Sequence, residues 1–297
     1  MASRPPSARA PTVRTQKTKQ PPSSARRGGE KRSGAGWRLW ALGLWLLFML
    51  WLGVGYARLP DVSALRTENP RTTALMAQRA EEVYAAGRKP RVRQTWVSLG
   101  AVAPHVVDAV LISEDARFYR HEGVDWTEVK NSLDQSVHEA RLGRGASTLT
   151  QQLAKNLYLS TDRSLLRKGK ELLLARRLEA QLSKQRILAL YLNVVEWGPG
   201  VYGIEAAARE HFGASARSLS VAQGAMLAAM LPAPRRWLPA QRPETLRTRA
   251  DVILGRLERE GRISGAQARE ARVELSRFFG GPPAPGPEAI ARLPVES

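Results

Sequence analysis

The hydrophobic pattern changes character once along this chain, after a single long apolar run. From Leu39 to Ala57 no position is charged. Those 19 residues at about 1.5 Å each reach about 29 Å, close to the roughly 30 Å hydrocarbon core of a bilayer. Trp37, Trp40 and Tyr56 stand near its ends, where aromatic belts form. A cleaved signal peptide has a shorter apolar region and a small-residue cleavage site, so the pattern predicts a retained single span over 37–57. From about 105 to 275 apolar positions recur at helical spacing, strand-like alternation is scarce and turn residues lie far apart. Leu75 to Ala86 reads as a helix in a membrane-proximal connection. An apolar helix over Val106–Ile112 runs into Glu114-Asp115, and another covers Trp126 to Arg141. Further helices begin at Ala146-Ser147, run from Leu165 to Leu182, start behind a Ser183 cap, and cover Ile204 to Phe212 up to a closing Gly213. Val221–Leu231 reads as a core helix, and 242–275 as a helical segment broken near Gly261–Ser264. Asn193–Gly203, with its glycines, reads as a loop. The expected fold class is mainly α.

Composition adds orientation to this picture. Residues 1–36 are rich in Pro, Ser, Gly, Arg and Lys, with nine Lys or Arg against one acid, Glu30. Such a stretch cannot build a core and is expected to be a disordered basic arm. By the positive-inside rule it holds the N-terminus in the cytoplasm, leaving everything after Arg58 beyond the membrane. The chain as a whole carries a net charge of +19, which suits an anionic partner: nucleic acid, anionic lipid or a phosphorylated substrate. The predicted topology keeps everything after Arg58 away from nucleic acid, so none is expected as a partner. The basic stretch 88–93 is expected either to touch anionic headgroups of the membrane or to be a solvated loop. The absence of cysteine excludes disulfides and thiolate metal sites. Residues 281–297 read as a Pro/Gly-rich tail.

Candidate chemistry gathers at three places. Glu114 follows an apolar run, and desolvation there favours the protonated form and raises the pKa, as a general base requires. A helix that simply ends in solvated charges fits that stretch equally well. Thr148, Gln151, Gln152 and Lys155 share one helical stripe opposite Leu149, Leu153 and Leu157. Amides and hydroxyls in a row suit sugar hydroxyls and acetamides, and the lysine suits a phosphate; a plain surface helix is the alternative. Glu171 lies on the apolar stripe of Leu174, Ala175, Leu178 and Leu182, with Arg167 four residues and Lys168 three residues before it. That is either a helix ion pair or a polar site at the end of a core helix.

The order of these motifs resembles a known family, the peptidoglycan glycosyltransferases (family 51). Glu114-Asp115-x-x-Phe118-x-x-His121-x-Gly123-x-Asp125 is similar to the family's first signature, and Gly145 through Asn156 to its second. Arg167-Lys168-x-x-Glu171 resembles the third, Ile187 to Ala207 the fourth, and Leu227 to Pro234 the closing segment. Neither S-x-x-K nor K-T-G occurs, so the resemblance points to the monofunctional biosynthetic branch without transpeptidase activity. It implies a lysozyme-like helical domain with a smaller membrane-proximal lobe, and a division into 1–36, 37–57, 58–250, 251–280 and 281–297. It implies an inner-membrane enzyme, active on the periplasmic side, that polymerises lipid II with inversion and releases undecaprenyl pyrophosphate. The resemblance makes Glu114 the base and Glu171 a second catalytic residue that orients the cations or helps hold the pyrophosphate. Asp115, Phe118, His121, Ser147, Thr148, Gln151, Gln152, Lys155, Asn156, Arg163, Arg167 and Lys168 are then the substrate-binding residues. No metal ligands and no obligatory cofactor are expected, although a divalent ion such as Mg bridging Glu171 and the phosphates is compatible with the resemblance. The implied partners are lipid II, the growing glycan, membrane lipids and other cell-wall synthesis or division proteins. The nearest rival is a membrane-anchored, glycan-cleaving muramidase or lytic transglycosylase, which also sets carboxylates beside a sugar cleft. It would leave the cations unexplained.

Overall fold

The computed structural model describes residues 35–130, 147–159, 164–241 and 243–281. The chain divides into two units, Met1–Val54 and Gly55–Ser297. Helix α1, Ala35–Ala57, has a mean hydropathy of 1.8 and none of it is buried. Its exposed face carries Trp37, Trp40, Leu44 and Phe48. A helix this long and apolar, with its large side chains exposed, fits a bilayer solvent.

In the larger unit, helices are set by local chemistry. Helix α2, Ala74–Ala85, is capped by Thr73, whose hydroxyl accepts from the Met76 amide. Helix α3 is Pro104–Glu114, with proline at its first position. Helix α4 is Leu149–Tyr158, and it opens at Thr148, whose hydroxyl accepts from the Gln151 amide. The expected start at Ala146-Ser147 is therefore corrected: Thr148 is extended and takes the capping place. Ser164 caps α5, Leu165–Gln181, and Ser183 caps α6, Lys184–Val194, as the sequence predicts. Helix α7, Ile204–Phe212, ends at left-handed Gly213. Helices α8, Val221–Met230, and α10, Gly265–Phe279, each begin with a full capping box. Between them lies α9, Glu244–Arg259. The predicted helix from Trp126 is present through 130, and its remainder lies outside the described residues.

Strand structure, absent from the sequence reading, appears where a loop was expected. Glu196–Gly198 (β2) pairs antiparallel with Val201–Tyr202 (β3), and Arg93–Gln94 (β1) pairs parallel to β3. Gly200 is required at φ +73°, because a Cβ there would collide with the Arg91 carbonyl. The pieces are only two or three residues long, too short for any alternation to announce them.

The core of this unit is built around α8, which is buried along almost its whole length. It packs against α3 and α9. Gly224 lets α3 come close, since a Cβ there would sit 2.9 Å from a Val106 methyl. Helix α9 also lies on α3, so the expected boundary at 250 falls inside a helix whose two halves serve one core.

Candidate active site

Glu114 is the last residue of α3. The apolar face of that helix, Val106, Ala109 and Val110, is buried against the core, and this fixes where the carboxylate emerges. Its Oε2 accepts a hydrogen bond from Gln152 Nε2 at 2.9 Å, and Ser113 Oγ donates to Oε1 at 3.3 Å. Gln152 is itself oriented: Tyr191 OH donates to its Oε1 at 3.1 Å, so its NH₂ faces Glu114. Burial holds the Tyr191 phenol well above its usual 10.0 and keeps it a donor. Burial also pushes the Glu114 carboxyl above the ordinary carboxylate range, against the opposing pull of Gln152, Ser113, Arg249 and Lys155.

On one side of Glu114 is a cavity of about 160 Å³. Asp115, Arg117, Asp125, Glu128, Ser147, Thr148 and Arg256 contribute to its walls. Asp125 accepts from the amides of Thr127 and Glu128 and lies 3.2 Å from Arg117 Nε. Arg256 reaches the cavity from α9 and has no ion-pair partner among the described residues.

A cation cluster lies around Glu171 on α5. This carboxylate is buried. Arg167 Nη1 donates to its Oε2 at 2.8 Å and Lys168 Nζ to its Oε1. Lys168 also donates to Ser147 Oγ and Gln151 Oε1, both at 2.9 Å. Ser147 thus touches both the cavity and the cluster. Lys155 senses the charges of Glu171, Arg167, Lys168 and Glu114, and burial draws its ammonium below the usual lysine range.

The remaining predicted residues turn inward. Asp115 holds His121 Nε2 at 3.0 Å and accepts from the Leu149 amide at 2.9 Å, so it ties α3 to the start of α4. Thr148 Oγ1 and Gln151 Nε2 both donate to the Gly123 carbonyl, at 2.7 and 3.0 Å. Phe118 is buried beneath Lys184, whose ammonium sits 4.4 Å from the ring centroid. Asn156 is buried on α4. Arg163 lies outside the described residues. Of the expected stripe on α4, Gln152 faces Glu114, Lys155 joins the cluster, and Thr148 and Gln151 brace the turn at Gly123.

Sequence reasoning missed Arg117, Arg249 and Arg256. Arg117 stands inside the first motif, where its position was a usable signal. Arg249 and Arg256 lie on a helix of ordinary amphipathic spacing, and no local pattern marks them. Among the described residues no group of three or more His, Asp or Glu is arranged to hold a metal.

Comparison with known proteins bears on these groups. The family model described as Transglycosylase matches residues 80–258. A biosynthetic peptidoglycan transglycosylase of Laribacter hongkongensis is 38% identical over 216 residues, covering 73% of this chain and 92% of the relative. One from Rhodospirillum centenum is 49% identical over 168 residues, covering 57% of this chain and 72% of the relative. One from an Azoarcus species is 41% identical over 217 residues, covering 73% and 91%. Among solved structures, penicillin-binding protein 1A of Haemophilus influenzae aligns at 22% identity with a TM-score of 0.36, over 61% of this chain and 18% of that one.

Proposed function

The chain belongs to the transglycosylase family, and from that premise we propose that the cavity beside Glu114 and the cations around Glu171 are the two halves of its catalytic site. It is a peptidoglycan glycosyltransferase. The substrate assigned here is lipid II, a disaccharide-pentapeptide on undecaprenyl pyrophosphate, with the growing strand as donor and lipid II as acceptor.

The acceptor's sugar hydroxyl is a weak acid and needs a base at hydrogen-bond distance. Glu114 has one edge in the cavity and an elevated pKa, so it is a stronger base than an ordinary carboxylate. The hydroxyl oxygen forms the new bond to the donor's anomeric carbon as its proton passes to Glu114. The bond from that carbon to the phosphate oxygen breaks on the opposite face, with inversion, and the electron pair leaves with the pyrophosphate. Charge therefore grows on the leaving group, and cations aimed at it stabilise the transition state. Lys155, Arg167 and Lys168 take this role, with Glu171 holding Arg167 and Lys168 in place. Gln152, fixed by Tyr191, orients Glu114.

A divalent ion does not fit this donor set. Each oxygen of Glu171 already carries a cationic donor, and magnesium needs oxygen ligands in near-octahedral array.

The observation that carries the reading is a single carboxylate of raised pKa set between a cavity and a cluster of cations. A glycan-cleaving enzyme has no pyrophosphate to stabilise and leaves that cluster without a task. The test is incubation of the purified full-length chain with lipid II, reading glycan polymer and released undecaprenyl pyrophosphate. Polymer and pyrophosphate are expected together, and Glu114→Gln is expected to lower the rate at least about 100-fold, since general bases contribute about 10²–10⁴. Digestion of finished peptidoglycan without polymerisation would overturn the reading.

A further inference from the structure

The stretch that leaves α1 is gripped by three arginines. Arg177 on α5 donates from Nη1 to the carbonyls of Leu59 at 3.2 Å and Tyr56 at 3.4 Å. Its guanidinium also lies 5.5 Å from the centroid of the Tyr56 ring. Arg66 Nε donates to the Gln181 carbonyl at the end of α5, at 3.0 Å. Arg186 on α6 donates to the carbonyls of Leu65 and Glu68, each at 2.7 Å, and to Asn69 Oδ1 at 3.0 Å. Between these points Leu59, Val62 and Leu65 are buried in the core. Five of the six acceptors are backbone carbonyls, and arginine's planar fork is suited to gripping several at once.

Residues 56–69 therefore do not form a slack tether. Surface loops normally hydrogen-bond to water and move, whereas this one is pinned at both ends and in its middle. Arg177 also shares α5 with Glu171. Six residues of helix separate them, about 9 Å of rise. The point where the chain leaves its apolar helix and the cluster that would receive a pyrophosphate are thus held by one rigid element.

We propose that Arg177, Arg66 and Arg186 form a positioning staple that fixes residues 56–69, the stretch through which the chain leaves its apolar helix, at a set distance from the Glu171 cation cluster. The catalytic groups would then meet the pyrophosphate of a substrate whose lipid remains in the bilayer. The proposal rests on the reading of the site as a lipid II polymerase. Its chemical consequence is selective: the staple serves a substrate confined to a membrane and is dispensable for one free in solution. None of the three arginines contacts the catalytic cavity or Glu171.

The test compares two substrates on the full-length protein. One is lipid II in vesicles; the other is a short-chain, water-soluble lipid II analogue in detergent. Arg177→Ala and the triple variant Arg66→Ala, Arg177→Ala, Arg186→Ala are expected to lose about tenfold or more in kcat/KM on vesicles, because a tether that no longer sets the distance lowers effective concentration. Turnover of the soluble analogue is expected to stay within about twofold, since no contact with that substrate is removed. Equal losses on both substrates would show a merely structural role and overturn the proposal, as would unchanged activity on vesicles. If the triple variant fails to fold, a second measurement decides. The chain has no cysteine, so Tyr56→Cys with Arg177→Cys can be joined cleanly by a short bis-maleimide. Cross-linking is expected to restore activity on vesicles, and no restoration would overturn the staple. Wild-type protein inactive on both substrates would instead count against the polymerase reading.

Discussion

Gln152 shows what one side chain decides in this site. Its amide donates to Glu114 Oε2 and its carbonyl accepts from Tyr191, so one residue orients the base and favours its ionised form. Burial works the other way and raises the Glu114 pKa. With Glu114 as the proposed base, its ionised form is the active one, so activity should fall as pH drops through that raised value. Gln152→Leu removes a donor to the charged form, which lets the pKa climb further. Its acid limb in kcat/KM should therefore move to higher pH; an unmoved or lowered limb would show that Glu114 is not the titrating base. On the proposed mechanism Lys155 sets the other limb. Its pKa is drawn down by burial, so the ammonium is lost, and rate with it, as pH rises through the depressed value. Lys155→Arg, charged throughout this range, should carry the alkaline limb to higher pH in the same experiment.

At the scale of the element, the position of the base depends on how closely α3 lies on α8. Gly224 sits at that crossing, where an added Cβ would stand 2.9 Å from a methyl of Val106, a stiff β-branched residue. Alanine gains about 1 kcal/mol of helix propensity over glycine, and overpacking costs about 1–3 kcal/mol. Gly224→Ala is expected to destabilise the chain by about 1 kcal/mol on balance and to slow catalysis by moving Glu114. Val106→Ala opens the same space, so the double variant should be more stable than the sum of the two changes predicts. Denaturant melts of the four proteins measure this coupling, and simple additivity would exclude the contact as the cause.

For the whole molecule, charge and hydropathy together argue a topology. Helix α1 is a candidate span, and the nine Lys or Arg residues ahead of it favour the cytoplasmic side. That topology would place everything after Arg58 on the outer face, the side on which the proposed reaction runs. A reporter fused at the C-terminus and active only when exported should give signal; activity confined to a cytoplasmic reporter would reverse the orientation.

Helix existence, the Ser183 cap, the apolar span and the order of the motif carboxylates and cations were legible in the chain itself. Each is written in the spacing of neighbouring residues: Ser183 precedes α6 by one place, and Arg167 and Glu171 meet because four residues make about one turn. Direction was not legible. Thr148, Gln151 and Gln152 share a stripe on α4, yet the first two turn to the Gly123 carbonyl and only Gln152 meets the base. That choice depends on Tyr191 from α6 and on the left-handed Gly123 turn, which are remote in sequence. Arg256 reaches the Glu114 cavity for the same reason, because α8 brings α9 onto α3. Local spacing decides which elements form and which residue types they carry; packing between distant elements decides which of those side chains face one another, and long-range contacts leave no period in the sequence.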